Sequence, residues 1–253
     1  ALMKQSVANL LRGGLFRMNN QVANIKNEMR KLANKKIAEH SQRFFKTGKG
    51  QYGEGDIFLG IRVPVLRKIA KKFRRISLAE VSKLLESKFH EERLLSILML
   101  VNLFKSGDED DQELIYELYL DKTKFINNWD IVDISAGNIV GAFLFEKDKA
   151  PLYRLVFSEN LWERRIAIVA TFYFIRNDEF DDTLKIAEIL FTDKEDLIHK
   201  AVGWMLREVG KRVIEIEEEF LEEHYLKMPR TMLRYAIERF PETRRKMYLK
   251  GQI

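Results

Sequence analysis

The chain has 253 residues, enough to bury a sizeable core in one or two domains, which excludes a small stapled scaffold. It has no cysteine, so disulfides, a thiolate nucleophile, Cys-ligated zinc and iron–sulfur clusters are excluded, and its four histidines (His40, His90, His199, His224) are too scattered to seed a metal site. Lys+Arg 44 against Asp+Glu 38 gives +6, modest in total, so a polyanionic partner is expected only where the excess is clustered.

Taken in chain order, residues 1–46 read as N-terminal capping helices, and residues 47–60, TGKGQYGEGDIFLG, as a glycine-rich loop. From 61 to 253 the pattern is helix after helix. Ser77 opens a helix with Glu80 three residues on, the spacing of a capping box. Leu94, Ile97, Leu98 and Val101 share one helical face, as do Ile166, Val169, Ala170 and Tyr173. Asp193 is expected to open the next helix, with Asp196 in its first turn. Small residues at Ser96, Ala136, Ala167, Gly203 and Ala236 recur every roughly 31 to 40 residues, the length of a two-helix unit. No run alternates with period two, and only four prolines (64, 151, 229, 241) interrupt the chain. The expected fold is therefore all-α: one domain over 1–253, an α-solenoid of HEAT-like two-helix repeats curved around a concave basic groove, with an irregular helical bundle as the plainer alternative. The most apolar run, Leu94 to Phe104, is broken by Ser96 and Asn102 and falls short of the ~18 residues of a membrane span. With no export signal in the N-terminal residues, a cytoplasmic monomer is expected.

Three tryptophans carry the chemical interest. Trp129 precedes Asp133 by four residues, so a flat aromatic and a carboxylate share one helix face. Trp162 precedes Arg165 by three, and Trp204 follows Lys200 by four and precedes Arg207 by three. A tryptophan on a helix is more often core than site, and Trp162 reads as core. Cations cluster at Arg67, Lys68, Lys71, Lys72, Arg74 and Arg75, read as one helix, and again from Arg230 to Lys246; a phosphate backbone would suit them, although about half such runs are plain solvated faces. The acidic stretches Asp108–Glu113 and Glu215–Glu223 are expected on the outer surface. No phosphate-binding glycine loop and no Ser/His/Asp set is present.

The segments DIFLGIRVP, NNWDIVD, LWERRIAIVATF, LIHKAVGWMLREVGKR and MPRTMLRYAIERFP together resemble the bacterial DNA alkylation repair proteins of the AlkD type, HEAT-like solenoids that act as DNA glycosylases. The resemblance covers roughly positions 50 to 245 by motif matching. It implies a catalytic Asp133 with Trp129, Arg165 and Trp204 beside it, and DNA contacts from Arg165, Arg207, Lys200 and Lys211. It implies duplex DNA carrying alkylated bases as partner, with no cofactor and no metal. The activity it implies is hydrolysis of the N-glycosidic bond of N3- or N7-alkylated purines, and the alternative is a non-catalytic HEAT-repeat protein that binds distorted or branched DNA. Two positions depart from the family pattern. Asn128 stands where some members carry a second aromatic, and Tyr52 is an uncertain match to an N-terminal aromatic.

Overall fold

A computed structural model describes residues 21–253, so most of the first half of the expected N-terminal cap lies outside the described residues. The described residues are helical throughout, apart from loops and one isolated bridge between Ile57 and Phe89. The chain is all-α, with successive helix pairs as in a helical-repeat solenoid. The described residues group into two compact units, 21–135 and 136–253, since helices in such a fold pack chiefly on their sequence neighbours.

In the first unit, helices α1 (Gln21–Leu32) and α2 (Lys35–Phe44) lead into a loop without regular structure, followed by α3 (Val63–Lys72) and α4 (Leu78–Leu85). Then come α5 (His90–Ser106), α6 (Glu109–Asp121) and α7 (Trp129–Ala136), the last residue of α7 falling in the second unit. The long α5 is the centre, packed by α3, α4 and α6. Leu94, Ile97, Leu98 and Val101 are all buried, and so are Leu95, Met99 and Leu100 on its other side, as befits a helix apolar all round. Ser77 and Glu80 form the expected capping box on α4. The basic helix is shorter than the sequence suggests: α3 ends at Lys72, leaving Arg74 and Arg75 in the turn beyond it.

In the second unit a π-helical turn (Gly137–Gly141) and α8 (Ala142–Leu144) precede α9 (Ala150–Val156), α10 (Leu161–Ala170), α11 (Phe172–Arg176) and α12 (Asp181–Ile189). Helices α13 (Asp196–Gly210), α14 (Ile214–His224), α15 (Arg230–Ala236) and α16 (Glu242–Lys250) complete it. Here α13 is the hub, against α10, α14 and α15. Gly203 permits the closest of these approaches, since a Cβ there would overlap the Met232 carbonyl and Tyr235 Cβ. The small residues Ser96, Ala136, Ala167, Gly203 and Ala236 are all buried, so the recurrence in the sequence marks real packing seams.

All four prolines fall at helix starts, Pro64 and Pro151 in the first turn and Pro229 and Pro241 at the N-cap, where a missing N–H costs nothing. Asp193 does not cap α13. That helix begins at Asp196 with Glu195 as N-cap, while Asp193 accepts from the Glu195 N–H and pairs with Arg164 Nε at 2.6 Å. The acidic stretch of α14 is likewise not wholly outward, because Glu217 is 2% exposed.

Candidate active site

Helix α7 presents Trp129 and Asp133 one turn apart, both half-buried. Trp129 is fixed by aromatics from a distant part of the sequence. Its ring stacks on Phe45 (centroids 5.2 Å) and meets the edge of Phe44 at 6.0 Å, and its Nε1 donates to the Tyr52 hydroxyl at 3.3 Å. Phe44 is 58% exposed, which leaves an open aromatic shelf beside Trp129. Behind Asp133, the Tyr119 and Ser135 hydroxyls lie 2.8 Å apart, and Ser135 Oγ lies 2.7 Å from the Ile131 carbonyl. Burial raises the Tyr119 phenol far above its ordinary range, and the nearby Asp133 charge works in the same direction against the Ser135 hydrogen bond.

A buried charge network anchors the start of α7. His90 Nε2 lies 2.9 Å from Asp130 Oδ2, and its Nδ1 lies 3.3 Å from Asp56 Oδ2. Arg93 Nη2 donates to Asp56 Oδ1 at 2.6 Å, and Asn128 Nδ2 donates to Asp56 Oδ2 at 3.2 Å. Asn128 is fully buried and its Oδ1 accepts from the Trp129 N–H at 2.9 Å. It is therefore a capping and bracing residue, and the departure from the family pattern removes no wall from the exposed face. The walls come from Phe44, Phe45 and Tyr52. Tyr52, the uncertain match in the sequence, does lie against Trp129.

With a carboxylate on each ring nitrogen, His90 is held as an imidazolium. Burial opposes the charge, but Asp130 and the two hydrogen bonds outweigh it and raise the group to about 9. Burial also works against ionised Asp56, yet the His90 hydrogen bond and the Arg93 charge keep it below its ordinary value. A raised histidine contributes its stability fully below the unfolded value of 6.5, and loses it as pH rises through about 9. Urea denaturation at steps between pH 6.5 and 9 is expected to show a loss on the order of 3 kcal/mol assignable to this group, absent from His90→Gln. A wild-type slope no steeper than the variant's would show that His90 is neutral in the folded protein.

The second unit holds the other expected residues. Trp204 on α13 lies 5.6 Å from the Phe172 ring, and its Nε1 donates to Glu208 Oε1 at 2.9 Å; Lys211 Nζ reaches the same oxygen at 2.6 Å. Lys200 pairs with Asp196 at 2.7 Å, and Arg207 pairs with Glu238. Arg165, expected to face phosphate, lies deeper than the other three cations. It is 5% exposed and Nη1 donates to the Leu197 carbonyl, so its guanidinium braces α10 against the start of α13. Trp162 is core, 7% exposed. The sequence reading missed Phe44, Phe45, His90, Asp56 and Asp130; the one local signal was the run of aromatics and glycines around DIFLG. No group of three or more potential metal ligands occurs among the described residues.

By fold this is a helical-repeat protein, with a half-buried aromatic and carboxylate on one short helix. Its structure is similar to that named "Predicted DNA alkylation repair enzyme from Enterococcus faecalis", at TM-score 0.64 and 18% identity, over 83% of this chain and 97% of that one. At that identity the likeness establishes the fold alone. The family model for DNA alkylation repair enzymes matches residues 25–240, and the chain belongs to that family. No curated protein matches the chain.

Proposed function

We infer that the protein is a monofunctional DNA glycosylase, which hydrolyses the N-glycosidic bond of cationic N3- or N7-alkylated purines in duplex DNA and leaves an abasic site. The observation that carries this reading is the pairing of Asp133 with a braced Trp129 on the half-exposed face of α7. An alkylated purine already bears a positive charge, so it leaves without a general acid. The demand falls on the sugar, where positive charge grows at C1′ as the bond breaks. An ionised Asp133 would stabilise that charge and orient the attacking water. Trp129 offers a π-face to a cationic base or to the deoxyribose, and Trp204 would offer a π-face of its own to the DNA in the second unit.

Lys200, Arg207 and Lys211 would contact the DNA backbone by exchanging their carboxylate partners for phosphate. Partly exposed pairs of this kind are worth only about 0–1 kcal/mol, so the exchange is cheap. The protein would act as a monomer, in the cytoplasm. The alternative is a DNA-binding module without catalysis; the position that favoured it, Asn128, is a buried residue bonded to Asp56 and to the Trp129 N–H.

The direct test is release of 7-methylguanine and 3-methyladenine from methylated duplex DNA, measured against spontaneous depurination. Release well above the blank is expected. Salt-sensitive binding with no release would instead establish the non-catalytic module.

A further inference from the structure

The second unit contains a cavity of about 590 Å³ where the end of α13 meets α14 and the turn before α16. Its lining includes Arg207, Lys211, Glu217, Arg239, Phe240 and Arg244. Two buried polar atoms of these residues have no hydrogen-bond partner, Arg207 Nε and Glu217 Oε1. Glu217 is 2% exposed, and the missing side chain of Gly210 makes room for it, since a Cβ there would overlap its carboxyl. Buried polar groups are satisfied in the great majority of cases, and the Glu217 carboxyl, nearly fully buried beside this cavity, keeps an oxygen without a partner. Among the described residues Arg239 pairs with no carboxylate, and it is exposed at the rim.

We propose that this cavity binds a phosphate group, which takes a hydrogen bond from the Glu217 carboxyl, is drawn in by the charges of Arg207 and Arg239, and lays its organic substituent against Ile214, Phe240 and Pro241. A carboxylate would repel such a ligand, but Glu217 is not ordinarily ionised. Burial raises it to about 8; Arg207 opposes this and Glu218 adds to it. At pH 7 it is a neutral acid whose O–H donates to an anion. The other charged groups facing it are Arg207 and Lys211 at the end of α13, Glu218 of α14, Arg239 and Arg244. Ionisation of Glu217 gives the cavity a pH dependence between pH 7 and 9.

The phosphate could belong to a free nucleotide or to a DNA backbone, and the same chemistry serves both. Neither source requires base cleavage, so the inference stands apart from the glycosylase reading. The experiment is calorimetric titration of the full chain with inorganic phosphate and with dAMP at pH 7 and pH 9. Saturable binding is expected at pH 7, falling about tenfold at pH 9 as Glu217 ionises one unit above its midpoint. The ligand's own second ionisation, near pH 6, would push affinity the other way, so the fall reports on the protein. Glu217→Gln keeps a neutral donor and should bind at both pH values without the fall. Arg239→Ala, at an exposed position that leaves folding intact, should weaken binding several-fold at either pH. Displacement of dAMP by an unmodified duplex would assign the site to backbone phosphate; a duplex that binds without displacing it would assign the site to nucleotides. No saturable binding of either small ligand at pH 7, or a pH 9 loss that persists in Glu217→Gln, would overturn the proposal.

Discussion

Asp133→Asn is expected to lower release of 7-methylguanine by about 10²–10³-fold, the usual effect of deleting one electrostatic partner of a transition state. The substitution keeps the size and shape of the side chain and removes only its charge. Because that charge would act on a cationic sugar and is a liability toward DNA phosphates, duplex affinity should hold or rise as activity falls. A merely structural aspartate would give the opposite pattern, with melting temperature and affinity dropping together. The bracing of Trp129 comes from Phe45, Tyr52 and the Asn128 cap, so the ring should keep its place in the variant. Single-turnover kinetics beside a fluorescence binding titration separates the two quantities. Residual activity equal to wild type would end the catalytic assignment.

The largest loss of stability is expected from Glu91→Ala. Glu91 is 3% exposed, and its carboxylate collects three backbone N–H groups from one stretch of loop: Leu59 at 2.8 Å, Gly60 at 2.7 Å and Ile61 at 3.2 Å. Gly60 is essential to that geometry, with φ +78 and a backbone so close to Asn34 that a Cβ would overlap its carbonyl. Removing the acceptor strands three buried donors, at roughly 1–3 kcal/mol each. A total of at least about 3 kcal/mol corresponds to a melting-temperature drop of roughly 10 °C in a chain of this size. Glu86→Ala is the control, because its pair with Lys122 at 2.9 Å is partly exposed and should cost less than about 1 kcal/mol. Equal losses in the two variants would mean that solvent replaces Glu91 at the loop.

How far the sequence reveals such features depends on how local they are. The face of α5 follows from apolar spacing alone, that of α10 only as far as Ala170, since Tyr173 falls half-buried on α11, and the burial of Ser96, Ala167 and Gly203 follows from their recurrence. Trp129 and Asp133 are legible because one helical turn joins them. Phe45 and Tyr52 are not, since Tyr52 lies 77 positions from the ring it touches. Asn128 is hidden for the same reason: its partner Asp56 is 72 positions away, and a residue just before a helix gives no sign of being fully buried. Arg165 lies deeper than its tryptophan neighbour suggests. The apolar run Ile166–Ala170 directly after it pointed instead to a guanidinium taken into the core, where it finds a backbone carbonyl.

The clamp on His90 has a chemical consequence for a protein of alkylation repair. Agents that methylate purines also attack nucleophilic side chains, thiolates first and neutral imidazoles after them. This chain has no thiol. An imidazolium whose two N–H groups face Asp56 and Asp130 has no free lone pair to offer. The histidine that braces the candidate site is thus kept in its unreactive form, so the electrophiles that create the lesions find little to attack beneath the site that would remove them.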